Sequence, residues 1–110
     1  MKMKTIMNNK KYEREDKSTK RSIDKGVSKL LDRITAYYNQ GYSISNIFDD
    51  SVLVHDIINK HYYVFKCKVD KLQLRILYTV SKENEVIVVS HYIKKSPTKE
   101  YIDIFTNYCD

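Results

Sequence analysis

The sequence predicts an α+β fold: a small antiparallel sheet, built as a three-strand meander with a possible further N-terminal strand, packed against an N-terminal helical segment and a C-terminal helix. Three observations predict it. Residues 22–40 repeat apolar positions at helical spacing; residues 62–93 hold three β-branched and aromatic runs separated by short polar turns; and the chain returns to helical spacing behind Pro97. With 110 residues, one domain must carry everything. A hydrophobic share of 42% against 31% charged residues is that of a globular chain and well clear of the disordered class.

The first helix rests on Ile23, Val27, Leu30, Leu31, Ile34, Tyr37 and Tyr38, which fall on one stripe. Ser22 is the expected N-cap, Asp24 suits the positive end of the dipole, and Gly41 can take the left-handed conformation that closes the helix. Gly26 costs about 1 kcal/mol relative to alanine, so fraying is expected there. Across residues 42–59 Ser43, Ser45 and Asn46 look like caps without a clean apolar period, which predicts a second, shorter helical element followed by a loop. Tyr62–Val69 and Leu72–Val80 flank Asp70-Lys71 and read as a hairpin. Glu85–Ile93 follows the polar turn Ser81-Lys82-Glu83-Asn84 as the third strand. Ser96 as cap and Pro97 at the first helical position then open a last helix with Tyr101, Ile102, Phe105 and Tyr108 on one side.

Charge is unevenly distributed within the net +6. Residues 1–21 carry +5, residues 22–59 carry −2, residues 60–99 carry +6 and residues 100–110 carry −3. This divides the chain into a basic arm at 1–21, partly disordered and with a possible short strand at Lys4–Met7, and a folded domain at 22–110. The arm reads either as a solubilising leader or as a phosphate-contacting tail. No apolar run approaches the roughly 20 residues of a membrane span, and no apolar core follows the basic Met1–Lys4, so a cytoplasmic protein is expected. Cys67 and Cys109 have no Cys or His at ligand spacing, and His55, His61 and His91 are scattered singly; neither a metal nor another cofactor is expected.

A two-residue turn at Asp70-Lys71 sets Val69 opposite Leu72, Lys68 opposite Gln73, Cys67 opposite Leu74, Lys66 opposite Arg75 and Phe65 opposite Ile76. Alternation then sorts the faces. Phe65, Cys67, Leu74, Ile76 and Tyr78 face the helices, while Lys66, Lys68, Gln73 and Arg75 form the other face. Cations directly opposite one another repel, and an anionic partner offsets that repulsion. The third strand is expected to bring His91, Tyr92, Lys94 and Lys95 to the same end of the sheet. Such a cluster can hold a phosphodiester, stabilise charge developing on it, and lower a neighbouring lysine's proton affinity enough to make it a general base. Alternating lysines are equally the pattern of an ordinary solvated sheet face.

Lys66, then Arg75 within Leu74-Arg75-Ile76-Leu77-Tyr78, then Val88-Val89-Ser90-His91-Tyr92-Ile93-Lys94-Lys95-Ser96, resembles the strand pattern of the RelE/HigB-type mRNA-cleaving toxins, in particular their phage-associated HigB-like branch. The resemblance covers about residues 20–108. It implies a ribosome-dependent endoribonuclease of a type II toxin–antitoxin system that inhibits translation, cuts mRNA by attack of the ribose 2′-hydroxyl without a metal, and is neutralised by an antitoxin protein. Arg75, Lys66, Lys94, Lys95 and His91 would be the catalytic set, with Lys68, Gln73 and Tyr92 contacting RNA. Val64 departs from the glutamate of that pattern, Lys66 stands for an arginine, and His91 is one position from where some members carry a histidine. The alternative is a non-catalytic RelE/ParE-type protein that acts by binding, either a gyrase-directed toxin or a phage or plasmid protein that binds nucleic acid or a host protein.

Overall fold

The computed structural model describes residues 3–49, 56–59, 61–95, 97 and 99–109. In chain order the elements are β1 (Thr5–Met7), α1 (Lys10–Glu13), α2 (Lys17–Asn39), α3 (Ile44–Asp49), β2 (Asp56–Asn59), β3 (Tyr62–Val69), β4 (Leu72–Val80), β5 (Val86–Ile93) and α4 (Glu100–Thr106). The strands form one five-stranded mixed sheet in the order β1-β5-β4-β3-β2. The predicted α+β class holds, and the meander β3-β4-β5 is its centre. The possible N-terminal strand is present as β1, which runs parallel to β5 with Thr5 beside Val86.

The hairpin forms as the sequence dictates. Asp70 and Lys71 both take positive φ, 51° and 69°, giving the turn whose twist matches two antiparallel strands. All five cross-strand pairs expected from Val69↔Leu72 to Phe65↔Ile76 are present. The turn is tied to α2: Asp70 accepts from the Ser22 hydroxyl at 2.8 Å and from Lys25 Nζ at 3.1 Å. Hydrogen bonds from both groups hold the Asp70 carboxyl below the usual carboxylate range.

Helix α2 starts five residues before the expected Ser22. Asp16 is its N-cap, accepting from the Thr19 amide at 2.7 Å, while Ser22 is buried inside the helix and serves the turn instead. Ile23, Val27, Leu30 and Ile34 are buried as the stripe requires. Gly26 is a contact point rather than a weak start. A Cβ there would stand 3.1 Å from Cys67 Sγ and 3.1 Å from Ile76 Cδ1, so the missing side chain lets α2 lie close on the sheet. Gly41, with φ of 100°, follows the end of α2 as expected.

Two cores result. Helices α2 and α3 cover one face of the sheet, with Phe65, Ile76, Tyr78 and Val88. Helix α4 covers part of the other face, where Tyr101 and Phe105 pack on Val64 and Leu77. The chain from residue 42 gives α3 and then the strand β2, where a loop was expected. Helix α4 begins at Glu100 and not at Pro97, which sits in a bend; Ser96, the expected cap, lies outside the described residues. Within the expected arm, residues 3–21 supply β1, α1 and the first turn of α2, and Lys11 Nζ donates to the His91 carbonyl at 3.0 Å.

Candidate nucleic-acid interface

The hairpin end of the sheet is where cations collect. Its two-residue turn makes Val69↔Leu72 a hydrogen-bonded pair, so by alternation Lys66↔Arg75 is a non-hydrogen-bonded pair, with Cβ atoms about 4.5–5.5 Å apart. Lys66, Lys68 and Gln73 are exposed. Arg75 is on their face but only 2% exposed. Its guanidinium lies 5.6 Å from the centre of the Tyr101 ring and its Nη1 donates to the Leu74 carbonyl at 3.1 Å. The Nε of Arg75 is buried with no hydrogen-bond partner among the described residues. Sequence alternation placed Arg75 correctly by face and missed its burial, because it could not reveal that α4 returns over that side.

Lys66, Lys68, Gln73 and Arg75 wall a cavity of about 880 Å³ that also reaches round the edge of β3 to Phe65 and Cys67. Its other wall is α2, through Lys29, Asp32 and Arg33. These three stand at i, i+3 and i+4 and so share one helix face. They were missed in the sequence, where the polar side of an amphipathic helix looks like solvent-facing surface; the signal was two cations one turn apart beside the apolar stripe. Lys29 Nζ donates to the Lys68 carbonyl at 3.0 Å, fixing the helix against the strand edge. Burial raises the Cys67 thiol above its ordinary range, and the charges of Lys29 and Arg75 pull the other way.

The remaining predicted residues divide. The Lys94 amide donates to the Gln73 carbonyl at 2.8 Å, and Lys94, Lys95, Gln73 and Pro97 line an adjoining cavity of about 390 Å³. Tyr92 pairs with Arg75 and shares its face, and its hydroxyl donates to Glu100 at 3.3 Å. His91 is different. It pairs with Ile76 on the opposite face and is fully buried, so it does not join Arg75 and Lys66. The physical reason is the pleat: neighbours in a strand point to opposite sides, and Tyr92 already occupies the cationic one.

His91 instead belongs to a buried chain of polar contacts. The Asn9 Oδ1 accepts from the Tyr12 amide, so its Nδ2 donates to His91 Nδ1 at 2.8 Å. That leaves the proton on Nε2, which donates to Glu15 Oε2 at 3.0 Å. Burial lowers the proton affinity of His91, Lys11 adds to the effect, and Glu15 opposes it.

Among the described residues no group of three His, Cys, Asp or Glu side chains could hold a metal, and no helix is long and apolar enough to cross a membrane. The fold and the site thus define an α+β protein with a cation-walled cavity at one end of its sheet. No family model, curated protein or solved structure matches this chain.

Proposed function

We propose that the protein binds the phosphodiester backbone of RNA at the cavity walled by Lys66, Lys68 and Arg75, and that it is an mRNA-cleaving toxin of the RelE/HigB kind. The observation that carries this reading is the cross-strand pair Lys66↔Arg75, with a buried guanidinium whose Nε has no partner among the described residues, beside a cavity also walled by Lys29 and Arg33. Two cations held opposite each other cost stability that a phosphate returns. In the reaction the ribose 2′-oxygen bonds to phosphorus, the bond to the 5′-oxygen breaks, and that oxygen takes up a proton. Asp32, the carboxylate among the described cavity residues, takes the 2′-hydroxyl proton; an ammonium of Lys66 or Lys68 gives one to the leaving oxygen; Arg75 stabilises the phosphorane charge. The ribosome and a neutralising antitoxin are the partners of this reading.

A second reading, binding without cleavage, is favoured by His91, which is sealed on the other face and so does not join the cationic one. A translation reaction containing 5′-labelled mRNA separates the two. New RNA ends that disappear in Asp32→Asn and Lys66→Ala support the toxin. Retention of intact RNA by the protein, weakened by Lys66→Ala, would leave only the binding reading, and the absence of either would remove both. Each of Lys66→Ala and Lys68→Ala should reduce the salt dependence of single-strand binding by about 0.7 in the slope of log K against log salt.

A further inference from the structure

Outside the main cavity, one cluster of charged side chains has no role in the reading above. It lies between α1 and the end of β5, where Lys11, Glu15, His91, Tyr92, Ile93 and Lys95 line a cavity of about 320 Å³. That is enough for a nucleotide-sized ligand. The cluster is built rather than incidental. Its carboxylate is held by a buried histidine, which a buried asparagine holds in turn, so the direction of every proton in the chain is fixed. The tie to His91 uses Glu15 Oε2 and leaves Oε1 without a hydrogen-bond partner among the described residues.

Two cations share the cavity with this acceptor. Lys11 is anchored by the His91 carbonyl and stands 5.6 Å from the centre of the Tyr92 ring, and Lys95 is an exposed residue lining the same cavity. The cavity thus combines an oriented acceptor with two ammonium-bearing side chains. It is also continuous with the main site: Lys95 lines both this cavity and the middle one, and Gln73 lines both the middle one and the main one.

We propose that the cavity between α1 and β5 is a nucleobase subsite that takes a base bearing an exocyclic amine, guanine best, on an RNA strand whose backbone lies in the main cavity. The proposal rests on the RNA reading above. A fixed carboxylate accepts from amino and ring N–H groups of a base edge; guanine offers two such donors side by side, cytosine one amine, and uracil a single N–H between two carbonyls that the carboxylate repels. Lys11 and Lys95 take the flanking phosphates as point charges. Single-stranded RNA is required, because only an unpaired base exposes that edge.

The test is fluorescence anisotropy with labelled ten-nucleotide RNAs, uridine throughout or with one guanosine stepped along the strand, at several salt concentrations. One guanosine position should tighten binding about tenfold over the all-uridine strand. Glu15→Gln should abolish that preference while keeping affinity for the all-uridine strand, and Lys95→Ala should lower the salt slope by about 0.7 on the ten-mer but not on a four-nucleotide strand. Because Glu15 also braces His91, circular dichroism of Glu15→Gln accompanies the measurement, and the exposed Lys95 variant decides the matter if that protein unfolds. Equal affinity for every sequence, with Lys66→Ala still weakening binding, overturns the subsite and leaves the RNA reading standing. Absence of salt-dependent RNA binding, or equal displacement of RNA by polyglutamate, overturns both.

Discussion

Arg75 is the residue in which packing and electrostatics pull apart. Its side chain is almost wholly buried, and its charge is desolvated against one carbonyl and the aromatic face that α4 supplies. A cation over a ring contributes about 0.5–2 kcal/mol, which does not by itself offset taking a guanidinium out of water. Removing the charge and keeping the stem therefore costs little. Arg75→Met should unfold in urea within about 1 kcal/mol of the parent, whereas Arg75→Ala, which also opens a void, should lose about 3 kcal/mol. RNA affinity should fall in both. A methionine variant as unstable as the alanine one would mean that the charge itself holds the fold, and growth tests on Arg75→Ala alone would confuse loss of function with loss of structure.

Among the elements, the β3-β4 hairpin carries the site, and its turn stores a correctable strain. Lys71 occupies a left-handed position that costs a residue with a Cβ about 1 kcal/mol and costs glycine nothing. Lys71→Gly should raise the thermal midpoint, by roughly 1 kcal/mol in stability, without moving Lys66 against Arg75; an unchanged midpoint would show that Asp70's ties to Ser22 and Lys25 already absorb the strain. This hairpin was legible residue by residue because a two-residue turn and a period of two together fix register and facing. Helix α2 was legible in its buried stripe but not at its start, since residues 17–21 have no apolar member and only the Asp16 cap marks the beginning. The walls of the site were half legible. Lys66, Lys68, Gln73 and Arg75 follow from alternation, but Lys29, Asp32 and Arg33 come from an element whose approach is set by Gly26, a distance that no local pattern encodes. The grouping of His91 with Tyr92 contradicted the same alternation that placed Arg75, and the structure resolves the conflict in favour of the pleat.

For the whole molecule, the contact among Asn9, His91 and Glu15 decides how the N-terminal segment is held to the sheet. His91 is neutral in the fold, with its proton affinity lowered by burial, so the unfolded chain takes up a proton more readily at mildly acidic pH. The stabilisation is complete above the unfolded value near 6.5 and is lost as the pH falls from there toward the lower folded value. Protonation would also set an Nδ1 proton against the Asn9 amide, which cannot turn without giving up the Tyr12 N–H. Thermal midpoints should therefore decline between pH 7 and 5, and His91→Gln should flatten that decline; a parallel decline in the variant would trace it to other groups. The pairing of β1 with β5 has a consequence in time. Contacts such as Asn9 with His91 span 82 positions, while β3, β4 and β5 are neighbours in sequence. At roughly 5–20 residues per second, the first strand waits about 4–16 s during synthesis for its partner to be made. The meander can close without it, so β1 docks only once β5 has been made, and the sheet's parallel edge is completed after its antiparallel centre can already stand.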